Sequence, residues 1–168
     1  FANFWLHNGM LTTGGEKMSK SLGNTLTVAE LTKTYRPLAV RWLLATVHYR
    51  SALEYTEGSL AEATAQVERV ENFLTRALGV AGLAAGDARE QALTAELPAE
   101  FAAALDDDVN VSAALAVVFE QVRRGNSALA GTPDPAAAGQ AAVTVAALLE
   151  VLGLDPLDEV QAVQVVDE

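Results

Sequence analysis

The chain has 168 residues, 51% of them hydrophobic, with no cysteine, two histidines and a formal net charge of −11. That length suits one ordinary domain or two small ones, and so apolar a composition excludes a wholly disordered chain. The lack of cysteine excludes disulfides and thiolate metal sites within the chain and fits a cytoplasmic protein. Two histidines are too few for a histidine metal site on their own.

The charge is unevenly spread. Residues 1–53 hold six basic and two acidic side chains, whereas residues 54–168 hold five basic and twenty acidic ones. Anion binding therefore belongs to the first third, with Arg123-Arg124 the one basic pair further on. In chain order, residues 1–7 read as the end of a helix. The chain starts at Phe1 rather than methionine, so the N-terminal part of a longer protein is expected to be missing. Gly9 to Thr13 suits a short strand, Gly14-Gly15 breaks the chain, and residues 14–26 read as a loop. Thr27-Val28-Ala29-Glu30 is a capping box, opening a helix to about Tyr35. Pro37 suits the first turn of a second helix, to about His48.

A long helix is predicted over 57–78, because Leu60, Ala63, Val67, Val70, Leu74 and Ala77 recur at spacings of three and four. A helical stretch over 87–105 should break at Pro98. Asn110 caps the next helix, whose stripe is Ala114, Leu115, Val118, Val122 and Leu129. Thr132-Pro133-Asp134-Pro135 marks a turn and a cap. The last helix buries Ala141, Val145, Leu148, Leu149 and Leu152 and ends at Gly153. No strand pattern of real length is visible after residue 26. No apolar run reaches the ~18 residues of a membrane span, so no membrane partner is expected. The expected fold is mainly α: a short mixed segment carrying a loop, followed by an antiparallel helix bundle. The expected division is 1–55, 56–154, and an acidic linker or tail over 155–168.

Lys17-Met18-Ser19-Lys20-Ser21 is the most informative stretch. Only three lysines occur in the chain, and two of them lie here, between Gly14-Gly15 and Gly23-Asn24. At average composition the pentapeptide arises on the order of once per million positions, which sets chance aside. Lysine is a point charge on a flexible stem, suited to following a moving phosphate. Ammonium groups aimed at charge growing on departing phosphates favour the transition state over the ground state. Ser19 and Ser21 offer hydroxyls, and the glycines let the loop open and close. The plainer reading is a solvated surface loop.

The pentapeptide resembles the signature loop of class I aminoacyl-tRNA synthetases. Its surroundings are similar to the cysteine-specific family. The shared runs are Phe1-Ala2-Asn3-Phe4-Trp5-Leu6-His7-Asn8-Gly9, Gly15 through Asn24, Tyr35-Arg36-Pro37, and His48-Tyr49-Arg50-Ser51 with Leu53 and Tyr55. Phe101 through Asn110, with Ala113-Ala114-Leu115, resembles the start of that family's helical tRNA-binding domain. The family commonly has Asn-Thr-Pro where this chain has Asn110-Val111-Ser112. The resemblance is strong to residue 55 and reaches about residue 130.

It implies a ligase that charges tRNA with cysteine through a cysteinyl-adenylate. Lys17 and Lys20 would be catalytic, and Lys17, Met18, Ser19, Lys20 and Ser21 would hold the phosphates of ATP, taken with Mg. It implies no metal ligand in this chain: the parent's zinc ligands, the His-Ile-Gly-His signature and the nucleotide fold are not in it. His7-Asn8-Gly9 does not substitute. This chain alone should be inactive. Its expected partners are tRNA and a missing N-terminal catalytic domain, in a monomer. The alternatives are the mycothiol-pathway ligase joining cysteine to an amino sugar, a tRNA-docking module without chemistry, and a plain helix bundle.

Lesser features have two readings each. His48-Tyr49-Arg50 contacts tRNA or is a helix end with Tyr49 in the core and Arg50 capping carbonyls. Asp106-Asp107-Asp108 binds a cation or is a solvated junction with one carboxylate capping. Trp5 and Trp42 stack on a nucleotide, or, for Trp42, pack the core. Arg123-Arg124 meets a tRNA backbone or pairs with Glu120.

Overall fold

The computed structural model describes residues 1–17 and 27–157. The fold is mainly α, with one small sheet. The chain divides into two compact units, Phe1–Ala65 and a second beginning at Gln66.

The first unit opens without regular structure. Phe1 to His7 form no helix and are exposed, contrary to the sequence expectation. Seven residues close too few hydrogen bonds to hold a helix without packing partners. Strand β1 (Leu11–Thr13) and strand β2 (Glu16–Lys17) form an antiparallel hairpin around Gly14-Gly15. Both glycines have positive φ, 61° and 76°, as a two-residue hairpin turn of the right twist demands. Strand β3 (Leu53–Tyr55) pairs parallel to β1, giving the order β2-β1-β3. The sequence reading missed β3: three residues flanked by helix signals carry no period worth reading. Gly9 is required here, because a side chain at that position would run into the Ser51 carbonyl.

Helix α1 (Val28–Leu31) starts with the anticipated capping box, but it is one turn long rather than reaching Tyr35. The Glu30 amide donates to the Thr27 hydroxyl at 3.2 Å and the Thr27 amide to the Glu30 carboxylate at 3.0 Å. Beyond Leu31 the chain tightens into turns, with Pro37 close behind. Helix α2 (Pro37–Thr46) has that proline in its first turn and buries Leu38, Ala39, Val40, Trp42 and Leu43. Trp42 is thus a core residue, whereas Trp5 is exposed and lies against Phe1, ring centroids 6.4 Å apart.

Helix α3 (Glu57–Ala81) carries the boundary between the units. Thr56 and Ser59 cap its start reciprocally, each amide donating to the other's hydroxyl at 3.0 Å. All six stripe residues predicted for it are buried, with Phe73 and Leu78 beside them. The second unit continues through α4 (Ala85–Ala92), α5 (Ala99–Asp106), α6 (Val111–Ala128) and α7 (Pro135–Leu152). Pro98 stands at the cap of α5, so it separates two helices as expected.

Helix α7 packs against both α6 and α4, and α6 against α5. Asp134 caps α7, its carboxylate accepting from the Ala137 amide at 3.0 Å, and Gly153 ends it with φ 64°. Among the described residues α7 is the one helix long and apolar enough to cross a membrane. Its apolar surface is turned into the bundle instead: ten of its eighteen residues are buried, including Val145, Leu148 and Leu149. A helix apolar nearly all round is what a core position demands. Packing also continues past Asp155, where a linker was expected to begin: Leu154, Asp155, Pro156 and Leu157 are all buried. Asp155 pairs with Arg89 of α4 at 3.7 Å and accepts from the Leu157 amide at 3.0 Å. A local ion pair and two leucines hold residues 154–157, and the rest of the expected tail, 158–168, lies outside the described residues.

Candidate functional site

The candidate loop leaves the sheet at Lys17. In the register, Glu54, Thr12 and Lys17 form one row of backbone partners across β3, β1 and β2. Met18, Ser19, Lys20 and Ser21 lie outside the described residues, so only the Lys17 backbone can be placed. What the structure brings together is the pair of anchors on which residues 18–26 are hung.

The first anchor is the glycine hairpin. The Glu54 carboxylate accepts a hydrogen bond from the Thr12 hydroxyl and another, at 3.0 Å, from the Gly15 amide. The Thr12 bond, then those from Gly15 and Gly14, hold the Glu54 carboxyl below its usual range. Each favours the ionised form, and together they outweigh the modest desolvation. The second anchor is the capping box at Thr27. There Glu30 is held low by the Thr27 amide first and the Thr27 hydroxyl second. A carboxylate thus ties down each end of the segment that carries the lysine motif.

Glu54 and Thr12 were not foreseen. Their roles depend on a parallel pairing between residues 42 apart, which no local pattern announces. The one available signal is weak: Glu54 is exposed between the half-buried Leu53 and Tyr55. Burial raises the Tyr55 hydroxyl, with the neighbouring Tyr35 and Glu57 adding to it.

His48, Tyr49 and Arg50 form a ladder beside this sheet. The His48 and Tyr49 rings stack at 5.0 Å and 25°, and the Arg50 guanidinium stands 4.9 Å from the Tyr49 ring centre. Tyr49 is half-buried rather than in the core, and Arg50 covers it. A cation over an aromatic face retains its hydration on the other side, which explains why the tyrosine need not sink further.

In the second unit, Arg123 and Arg124 both pair with Glu120, the Arg124 contact being 3.2 Å, as the plainer reading held. Asp106, Asp107 and Asp108 are exposed, and Asp108 and Val109 have positive φ where the chain turns between α5 and α6. Asn110 provides the cap, accepting from the Ala113 amide at 3.1 Å. Among the described residues no group of three His, Cys, Asp or Glu side chains could hold a metal ion.

Comparison with known proteins accords with this layout. Residues 1–65 match the family described as tRNA synthetases class I (C) catalytic domain, and residues 100–157 match the DALR domain. Each match covers less than half of the chain, and both are likenesses to parts of tRNA synthetases. The chain is similar to proteins named Cysteine--tRNA ligase. It is 51% identical to that of Beutenbergia cavernae, over 95% of this chain and 33% of the relative. It is 52% identical to that of Micrococcus luteus, over 95% and 32%. It is 54% identical to that of Kocuria rhizophila, over 92% and 31%. The chain therefore spans about a third of the length of these relatives. Among solved structures it is similar to a chain from the ternary complex of Agrobacterium radiobacter K84 agnB2 LeuRS, tRNA and LeuAMS. The TM-score is 0.69 at 20% identity, over 92% of this chain and 22% of that one, a likeness of fold.

Proposed function

We propose that this chain is part of a ligase that activates cysteine with ATP and transfers it to tRNA. The observation that carries the proposal is identity of about half to relatives named Cysteine--tRNA ligase, along nearly the whole chain. The chain supplies the phosphate loop, Lys17 to Ser21, and a helical region that docks tRNA; it has no activity by itself. The DALR match and the tRNA-bound likeness of fold support the docking role. The relatives' names favour tRNA over an amino sugar as acceptor.

ATP is the cofactor, taken with Mg. Lys17 and Lys20 bring ammonium charge to its phosphates, and Ser19 and Ser21 donate hydroxyls. Pyrophosphate leaves with increasing negative charge, so these contacts strengthen as the bond to the α-phosphorus breaks. The hairpin and the capping box stand at the two ends of the segment that carries the motif. Zinc is expected for the parent, with ligands other than residues of this chain.

Lys20→Ala in the whole protein tests the loop. Adenylate formation should slow by about tenfold or more, with cysteine affinity little changed, because the missing charge meets its partner only in the transition state. Single-turnover activation at the wild-type rate would remove the loop from the chemistry. Supplying ATP and labelled cysteine with either acceptor separates the two ligases: label on an amino sugar and none on tRNA reverses the acceptor.

A further inference from the structure

We infer that Arg69 and Arg76, on the seam where α3 meets α6, form a two-point contact for the phosphate backbone of tRNA. The inference rests on the tRNA reading above and gives it a place in the second unit. From residue 54 onward the chain carries five basic side chains, all arginines: Arg69, Arg76, Arg89, Arg123 and Arg124. Three of them pair with carboxylates. Arg89 meets Glu150 at 3.6 Å and Asp155 at 3.7 Å, and Arg123 and Arg124 share Glu120. Arg69 and Arg76 differ: among the described residues their partners are neutral groups of α3 and α6. The Arg69 guanidinium lies over the Phe119 ring, 5.5 Å from its centre. Arg76 donates from Nε to the Asn72 carbonyl at 3.3 Å and from a terminal nitrogen to the Asn126 side-chain oxygen.

An aromatic face and amide oxygens hold a guanidinium in place without cancelling its charge. The sequence preserves that charge. The α3 residues one turn from either arginine are Ala65, Gln66, Asn72, Phe73, Gly79 and Val80, none of them acidic. Glu68 and Glu71 are one and two residues from Arg69, too close in the helix to share its face. Both arginines are exposed, and a guanidinium has five donors, of which Arg76 uses two here. Their spacing selects the ligand. Seven residues separate them on α3, as seven separate Phe119 from Asn126 on α6, so the charges stand about 10 Å apart along the helix. One small anion cannot reach both, whereas a phosphate backbone meets both at once. The acidic surface around them repels that backbone elsewhere, so the pair sets where the RNA lies on this unit.

The test is filter binding of unacylated tRNA by the whole protein across a salt series, with Arg69→Gln, Arg76→Gln and the double variant. Wild-type affinity should fall steeply with salt. Each single variant should lower the slope of log affinity against log salt by about one, and the double variant by about two. Arg69→Lys and Arg76→Lys keep the charge and should restore most of the slope. Arg124→Gln removes the same charge from a side chain that Glu120 already holds, and should leave the slope as it was. A double variant with the wild-type slope overturns the contact and leaves the tRNA reading standing. An Arg124→Gln loss as large as that of Arg76→Gln also overturns it, because net charge alone would then account for the effect. Wild-type protein that binds tRNA without salt dependence, or not at all, brings down the tRNA reading and the contact with it. Thermal unfolding accompanies each variant, and where the double variant does not fold the single variants decide by the same slopes.

Discussion

Gly125 lies inside α6, where glycine costs about 1 kcal/mol relative to alanine. The position tolerates nothing larger, because a methyl group there would overlap the Phe73 ring of α3 and press on the Ala141 side chain of α7. Phe73 is 1% exposed and has nowhere to move. Packing therefore decides the sign: Gly125→Ala should destabilise the second unit by about 1–3 kcal/mol despite the better helix propensity. Thermal or denaturant unfolding checks it, and a gain in stability would mean that the ring yields. Gly9 illustrates the same point in the first unit, where the Ser51 carbonyl leaves no room for a side chain. Neither glycine looks special in the sequence, since each owes its identity to a distant neighbour.

Elements were legible where the signals are local. Thr27, Asn110 and Asp134 all cap the helices they were expected to cap, and Gly153 stops α7. The three- and four-residue recurrence in α3 predicted its buried face residue by residue, since one helix turn determines which side chains share a side. Leu74 tests that register. It is 2% exposed, so Leu74→Asp places an unpaired charge in the core and should unfold the second unit. Loss of the helical circular dichroism transition is the expected result, and an unchanged melt would disprove the register. What was not legible is non-local. Strand β3 exists through its parallel pairing with β1, and Glu54 acquires a role only through that pairing. The burial of Leu154 to Leu157 likewise depends on packing that the acidic composition conceals. The lysine motif and the Glu30 capping box were plain in the sequence, while the Glu54 carboxylate came from the fold.

At the scale of the whole molecule, charge and proposed chemistry have to agree. On the proposed function the whole protein holds a long polyanion, yet this chain carries a net −11, so on that reading contact with RNA is confined to a minority of its surface. Six basic side chains against two acidic ones fall within residues 1–53, the part that holds the hairpin, the Thr27 capping box and the His48-Tyr49-Arg50 ladder. The acidic remainder repels a phosphate backbone except at local basic points, and Arg123 and Arg124 there are already paired with Glu120. The whole protein should therefore bind tRNA with an affinity that falls steeply with salt. Six phosphate contacts correspond to about a thousandfold loss between 50 and 200 mM. Arg50→Glu reverses one of those charges and removes the cation above Tyr49, so binding should weaken and the salt slope should flatten by about one. A ligase for a neutral or singly charged sugar has no such dependence. Filter binding across a salt series distinguishes the two: a flat profile, or an Arg50→Glu variant with an unaltered slope, removes the first third of the chain from tRNA recognition.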